Sequence, residues 1–185
     1  MALGTWFLNS KKKTTTNIDA ITNRIEFVVG DFILSDKQDC NGDFFLSKDN
    51  SLLYNKQTSG DYSVLLGGNW RFELIVDSAT GLCVKVQCFL DELSVTHTAL
   101  ETPHSQQKNV YIISEEGLSP ACGCHYFPFE DIAFWDHEKH LLCIGNPYSA
   151  GQAVEFTNKT IAIIENGKLM CVYLSLNSIS DDIGF

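Results

Sequence analysis

Apolar and polar positions alternate with a period of two along most of the chain, a pattern that predicts β-strands. The clearest case is TIAIIENGKLMCVYLSL, residues 160–176. Asn166-Gly167 at its centre predicts a type I′ turn, because both central residues of that turn need a positive φ. Both faces of the two strands are apolar, so we expect them to lie centrally in a sheet that is covered on both sides. The turn sets three cross-strand pairs: Glu165 with Lys168, Ile163 with Met170, and Ile161 with Val172.

A second hairpin is predicted in WRFELIVDSATGLCVKVQC, residues 70–88. Its turn runs through residues 78–80, and Gly81 takes the left-handed position of a bulge. The register that follows pairs Asp77 with Gly81, Glu73 with Lys85, and Leu74 with Val84. Weaker signals of the same kind predict hairpins that turn at residues 48–50 and 136–139, and single strands at residues 24–29, 32–34, 62–66, 110–114 and 153–157. Helix is scarce: the pattern allows a turn or two within residues 17–23, residues 91–100 are ambiguous, and residues 102–109 are predicted to be a polar loop.

Many short strands separated by turn signals predict an all-β fold, either an antiparallel β-sandwich or a closed β-barrel, with little helix. A chain of 185 residues with 44% apolar residues can bury the core of one domain. We expect residues 1–176 to form this single β-rich domain. Residues 177–185 lack a core pattern, and we expect them to fray.

The charge of the chain favours some classes of binding partner over others. The net charge is −10, from 23 acidic and 13 basic residues. This balance argues against nucleic-acid binding, which depends on Lys and Arg at phosphates, and favours a basic protein partner. No apolar run is long enough for a transmembrane helix, and the N-terminus does not have the pattern of a signal peptide. We therefore expect a cytoplasmic protein that does not bind membranes, with reduced cysteines.

Three histidines and three cysteines fall in CGCHYFPFEDIAFWDHEKHLLCIG, residues 122–145. Zinc takes four ligands from these residue types, and the candidate ligands are Cys122, Cys124, His125 and His137. The spacing is not that of the common structural sites, and His140 and Cys143 point to opposite faces of a strand. We therefore predict no metal and no other cofactor, with Cys143 in the core, His140 beside Trp135, and His137 exposed. A reactive thiol in the same segment is the corresponding hypothesis for an enzyme, although no cationic cluster is evident to lower its pKa.

The same segment concentrates aromatic residues around Pro128, in HYFPFEDIAFW. Proline disfavours a central strand, so part of this run is expected at an edge or in a loop. Aromatic side chains that cannot all face inward can form a binding patch, and the loop from Gly145 to Gly151 adds another ring. A second small core under that loop is the alternative. The candidate binding residues are Tyr126, Phe127, Phe129, Glu130, Asp131, Trp135, Asp136 and Tyr148.

These observations favour a non-enzymatic acidic protein that binds a protein partner, as an inhibitor, an immunity-type protein or an assembly factor does. Two alternatives stay open. One is a β-barrel that binds or sequesters a small molecule. The other is a small zinc- or thiol-dependent enzyme.

Overall fold

The structure is a computed structural model. It describes residues 25–31, 44–46, 51–54, 60, 62–67, 72–89, 94–114, 117–118, 125–127, 129–130 and 132–179. These residues contain fourteen strands and no helix, so the all-β prediction is confirmed. In this part of the chain no helix is long and apolar enough to cross a membrane. The strands are β1 (Ile25–Asp31), β2 (Phe44–Leu46), β3 (Ser51–Tyr54), β4 (Tyr62–Leu66), β5 (Phe72–Val76), β6 (Cys83–Phe89), β7 (Ser94–His97), β8 (Gln106–Ser114), β9 (His125–Phe127), β10 (Ile132–Asp136), β11 (Leu141–Gly145), β12 (Gln152–Thr157), β13 (Thr160–Glu165) and β14 (Lys168–Ile179).

Strand β14 organises the sheet because it pairs with three other strands. It runs antiparallel to β13 and to β11, and its last residues pair in parallel with β2. From β14 the order continues as β13-β12-β8-β1, as β2-β3-β6-β5-β4-β9, and as β11-β10-β7. These three described branches end at β1, β9 and β7, so the sheet does not close into a barrel. The fold is therefore sandwich-like, and the closed-barrel alternative is wrong.

Two clusters of buried side chains pack against the central strands. The main cluster joins β4, β5 and β6 to β8 and β10–β14, and includes Val64, Leu74, Val86, Trp135, Leu142, Phe156 and Leu174. The second cluster contains Leu100, Leu141, Cys143, Ile161, Ile163, Cys171 and Tyr173. Successive residues of a strand point to opposite faces, so the second cluster lies on the other face of β11, β13 and β14. This arrangement confirms that the β13–β14 hairpin is covered on both sides.

The β13–β14 hairpin turns where the sequence predicts. Asn166 and Gly167 have φ angles of 50° and 73°, the positive values that a type I′ turn requires. Glu165 pairs with Lys168, as expected. The turn is therefore encoded by the local chemistry of two residues.

Beyond the turn, a bulge at Met170 changes the register of the hairpin. β14 carries one residue more than β13 at this point, and Met170 has no partner in the ladder. The predicted pairs for Ile163 and Ile161 are therefore wrong by one residue. The structure pairs Ile163 with Cys171 and Ile161 with Tyr173.

The β5–β6 hairpin keeps its predicted faces but not its predicted register. Gly81 has a φ of 77°, so its left-handed conformation is confirmed. The Asp77 carboxylate accepts hydrogen bonds from the Thr80 N–H at 2.9 Å and the Thr80 hydroxyl at 2.7 Å, which close the turn. The ladder is displaced by two residues, which preserves the faces because strand side chains alternate with a period of two. Glu73 pairs with Gln87 rather than Lys85, and Leu74 with Val86 rather than Val84.

Some of the remaining predictions of strands, hairpins and loops are confirmed, and others are not. Both weaker hairpins form, as β2–β3 and β10–β11, and β4 has the predicted bounds. Residues 106–109 are not a loop, because they begin β8 and pair with β12 and β1 on its two sides. β14 extends to Ile179, and Ser178 and Ile179 pair with β2, so the strand reaches into the segment that was expected to fray. The predictions for residues 17–23 and 32–34 lie outside the described residues.

Candidate functional site

The loop of residues 145–151 between β11 and β12 is folded around Asn146. The Asn146 side-chain oxygen accepts the N–H of Tyr148 at 3.0 Å, and its carbonyl accepts the N–H of Ser149 at 3.3 Å. An Asn side chain that bonds the backbone two residues on is a recurrent way to fix a turn. The loop therefore has its own internal hydrogen bonds and a defined conformation.

The loop is also bonded to the sheet beneath it. The Asn146 N–H donates to the carbonyl of Met170, the bulge residue of β14, at 3.3 Å. The hydroxyl of buried Tyr173 donates to the carbonyl of Pro147 at 3.0 Å. Gly145, where the loop begins, has a φ of 96°, a conformation that side chains disfavour. The bulge and the tyrosine hydroxyl thus hold the loop against the second apolar cluster.

The anchored loop presents Tyr148 to solvent. Tyr148 is 82% exposed, the largest exposure among the large apolar side chains that the structure describes. Its ring meets the Phe134 ring edge to face, with centroids 6.5 Å apart and planes at 74°. The backbone that carries the ring is therefore held in place, while most of the ring is exposed to solvent.

Phe129 and Glu130 lie close to the start of this loop. The Phe129 ring stacks on Phe72 with centroids 5.5 Å apart. It also lies so near Gly145 that a β-carbon there would come within 2.8 Å of the ring. Glu130 follows it in the chain and is exposed. The structure thus brings two predicted site residues next to the loop that carries Tyr148.

The predicted exposure of Trp135 and Asp136 is wrong. Trp135 is 2% exposed and Asp136 is 5% exposed. Successive side chains of a strand point to opposite faces, so Trp135 lies in the main cluster while its neighbour Phe134 packs against the second cluster. His140 stacks on the Trp135 indole, with centroids 6.3 Å apart and planes at 15°, and Cys143 is buried, both as predicted. His137 is exposed, also as predicted.

Asp136 organises the turn between β10 and β11. One carboxylate oxygen accepts the N–H of Leu100 at 2.8 Å, and the other accepts the N–H groups of Glu138 and Lys139, both at 3.1 Å. The Lys139 ammonium lies 3.7 Å from the same carboxylate and also donates to the Leu100 carbonyl. The hydrogen bond from Leu100 is the largest cause that holds the pKa of Asp136 below its ordinary value, with further contributions from the turn and from Lys139. This carboxylate is saturated with donors inside the fold, so its role here is structural.

The described residues include no group of three or more His, Cys, Asp and Glu that could hold a metal ion. Among the predicted ligands, Cys122 and Cys124 lie outside the described residues. His125 is in β9, and its side chain is likewise outside the description. His137 meets His140 edge to face, with ring centroids 6.2 Å apart. The prediction that the protein binds no metal stays a prediction.

The described thiols are poor nucleophiles. Cys83, Cys143 and Cys171 are free and buried. Burial raises the pKa of Cys83, while the pKa of Cys143 is raised first by its hydrogen bond with Cys171 and then by burial. A thiol whose pKa is raised stays protonated and unreactive at neutral pH. A thiol-dependent enzyme would have to use a cysteine whose side chain lies outside the description.

Three further candidates can be placed only in part. Tyr126 and Phe127 belong to β9, which pairs only with β4 among the described strands. The predicted edge position of this aromatic run is therefore confirmed for its first part. The side chains of these two residues, and Asp131, lie outside the description.

A pocket of about 290 Å³ is a feature that the sequence did not indicate. It lies where β7 ends beside the β10–β11 turn, since β7 and β10 run parallel and pair Trp135 with His97. The segment that contains β7 has no clear strand period, so nothing local predicts this pairing. The lining residues are His97, Thr98, Ala99, Trp135, Asp136, His137 and Glu138.

No protein-family model matches the chain, and no curated protein is significantly similar to it. Function therefore rests on the residues of the sites themselves.

Proposed function

We propose that the protein is a non-enzymatic binding protein that recognises a protein partner through the loop of residues 145–151, with Tyr148 as the anchor. The observation that carries this proposal is an aromatic ring that is 82% exposed on a loop whose backbone is bonded at several points to itself and to the sheet. Tyrosine is enriched among the residues that dominate binding energy, because it offers a large apolar face with a hydroxyl for hydrogen bonding. A loop that is already ordered loses little entropy on binding.

The charge of the protein supports a partner with a basic surface. The chain carries a net charge of −10, and Glu130 is exposed next to Phe129, which packs at the start of the loop. Opposite charge on the partner would raise the association rate, and salt would lower it by screening. A cytoplasmic location is part of the proposal, and the free state of three buried cysteines is compatible with it.

A partner capture with matched variants tests the proposal. Wild type, Tyr148→Ala and Ile113→Ala would be used as baits in an extract of the natural host, with quantitative mass spectrometry of the bound proteins. Ile113 is the control because it is another exposed apolar side chain, on β8. We expect a protein that wild type and Ile113→Ala retain and that Tyr148→Ala loses.

The candidate partner would then be purified and its binding to the three proteins measured. We expect Tyr148→Ala to weaken binding by roughly 30-fold, the equivalent of about 2 kcal/mol, and the association rate to fall as salt rises. Equal affinities for wild type and Tyr148→Ala would contradict the proposed anchor. A small molecule that co-purifies with the protein while no protein partner is found would favour the small-molecule alternative.

A further inference from the structure

The pocket at the end of β7 is a second candidate binding site, apart from the loop that carries Tyr148. It lies at the end of β10 and the start of the turn into β11, whereas Tyr148 follows the far end of β11. Its volume of about 290 Å³ is at the bottom of the range for small-molecule sites, which run from about 300 to 1,000 Å³. The pocket is therefore the size for one side chain or a small molecule, and too small for a nucleotide-like cofactor.

The uncommitted polar groups of the pocket define the ligand that it fits. The side chains of His97, His137 and Glu138 make no hydrogen bond or ion pair with the described part of the chain, and all three are exposed at the pocket. Among the described residues, no Lys or Arg lines it. Lys139, in the same turn, has its ammonium directed to Asp136 and the Leu100 carbonyl. What remains is a free carboxylate beside two imidazole rings, which favours a cationic ligand with several N–H donors.

A guanidinium group meets these requirements better than an ammonium. It is planar and stacks on rings, and its donors are arranged to bond a carboxylate with two parallel hydrogen bonds. His140 stacks on Trp135 and also meets the imidazole of His137 edge to face. The aromatic side of the pocket is therefore held in place by packing between rings. Trp135 itself is 2% exposed and acts as a wall, not as a stacking surface.

We propose that this pocket accepts the guanidinium of an arginine side chain, with Glu138 as its carboxylate and His97 and His137 as flanking rings. The proposal rests on the proposed function, because the arginine would belong to the basic protein partner. It adds a second contact to the surface, so the partner would be held at Tyr148 by an aromatic anchor and at the β7 end by a charged one.

The test uses the whole protein and two small probes of nearly the same shape, one with a charged guanidinium and one with a neutral ureido group. N-acetyl-arginine amide would be titrated against N-acetyl-citrulline amide, its neutral counterpart, with NMR signals of the His97 and His137 rings and the Trp135 indole N–H as the readout. We expect saturable shifts with the arginine probe and none with the citrulline probe. Glu138→Gln should weaken binding by about tenfold, whereas Glu130→Gln, which removes an exposed carboxylate outside the pocket, should have no effect.

A second variant tests the pocket without changing its charge. Ala99→Leu places a larger side chain on the lining and should abolish binding of the arginine probe while the chain stays folded, because Ala99 is exposed. Equal shifts with the citrulline and arginine probes, or full binding by Glu138→Gln or Ala99→Leu, would overturn the assignment. A failed arginine titration together with a partner that still depends on Tyr148 would sink this inference alone. A normal titration with no partner lost by Tyr148→Ala would sink the proposed function alone.

Discussion

Two connections flank strand β11, and each lies against or carries one aromatic residue, which the first connection covers and the second exposes. Before β11, the turn of residues 137–140 folds over Trp135, whose indole is buried under His140. After β11, the loop of residues 145–151 carries Tyr148 outward. Both connections are well bonded, so the difference is not one of order against disorder. The two connections differ in the position of the polar groups that hold them.

In the first connection the anchor is a side chain of the strand itself. Asp136 is buried and collects the N–H groups of the turn, which brings the turn down onto the end of the core. In the second, the anchors are Tyr173 and the Met170 carbonyl, which lie beneath the loop and support it from below. The turn that bonds to buried Asp136 covers the Trp135 indole, whereas the loop that is held from beneath leaves the Tyr148 ring exposed. The buried ring and the ring that we propose for recognition are thereby separated by the length of one strand, and substitutions at the two rings should have different effects.

The largest effect on stability is expected for Trp135→Ala. This change removes a large buried side chain and leaves a cavity in the main cluster, so the free energy of unfolding should fall by about 3–5 kcal/mol. Urea denaturation followed by circular dichroism measures it, with the exposed-site variant Ile113→Ala as the control. A Trp135→Ala protein as stable as that control would contradict the buried position of the indole.

Gly145→Ala should come next. A β-carbon at Gly145 would lie 2.5 Å from the Met170 carbonyl oxygen and 2.8 Å from the Phe129 ring, at a φ of 96°. The combined clash and strain should cost about 2–3 kcal/mol. Gly117→Ala is the matched control, because Gly117 has a φ of 75° and open space around its α-carbon, which leaves strain alone at about 1 kcal/mol. If the two variants lose the same stability, the close approach at Gly145 is not what constrains the loop.

Asp136→Asn should destabilise the fold in a pH-dependent manner. Hydrogen bonds hold the pKa of Asp136 below its ordinary value of 3.8, so the native state favours the carboxylate. The stabilisation is complete at neutral pH and is lost as the pH falls below the ordinary value and through the lowered one. The difference in unfolding free energy between wild type and Asp136→Asn should therefore be large at about pH 7 and narrow towards about pH 3. A difference that does not change over this range would show that the fold does not lower the pKa of Asp136.

Tyr173→Phe should have a smaller and more local effect. It removes the hydroxyl that donates to the Pro147 carbonyl, at a cost of about 1 kcal/mol. Hydrogen exchange at the amides of Tyr148 and Ser149 should become faster, because the loop loses a bond to the sheet. Tyr111→Phe is the control, since it removes a hydroxyl that accepts a hydrogen bond from Asn109 away from the loop. Equal exchange rates in the two variants would mean that Tyr173 does not hold the loop.

The smallest effect on stability is expected for Tyr148→Ala. A side chain that is 82% exposed contributes little to the core, so the free energy of unfolding should change by less than about 0.5 kcal/mol. Thermal and urea denaturation would check this beside the binding assay. A large loss of stability would show that the ring packs inward, and would remove the main support for its role in recognition.

What the sequence predicted well is local in origin. Asn166-Gly167 specifies its turn through backbone preference alone, and the alternation in β4 suffices to give its bounds. The predictions are wrong where contacts with a distant segment of the chain determine the structure. The bulge at Met170 is not signalled by the residues of the hairpin, yet it shifts every later pair. Residues 106–109 look like a loop because they are polar, but β1 and β12 bond them on both sides, and buried Asn109 donates to the Asp31 carbonyl.

The candidate site divides in the same way. The sequence indicated Phe129, Glu130 and Tyr148, and the structure places the Phe129 ring against Gly145, at the start of the loop that carries Tyr148. It did not distinguish Trp135 from its neighbour, because a run that is apolar on both faces leaves no polar position to mark the inward one. The supports of the loop and the pocket at β7 arise from contacts between segments far apart in the chain. No periodicity within one segment reports such contacts.

The three pairings of β14 also bear on the order of events during synthesis. All the other described strands leave the ribosome before it. The branch through β11 pairs with the rest of the sheet by way of β14, and the branch through β2 has one further link to β8, the isolated bridge between Leu82 and Tyr111. Until residues 168–179 emerge, these branches carry open edges that could pair wrongly with each other or with another nascent chain. Pairing through β14 is therefore a late step relative to the synthesis of the other described strands, and chaperone binding before that step would bear directly on the yield of native protein.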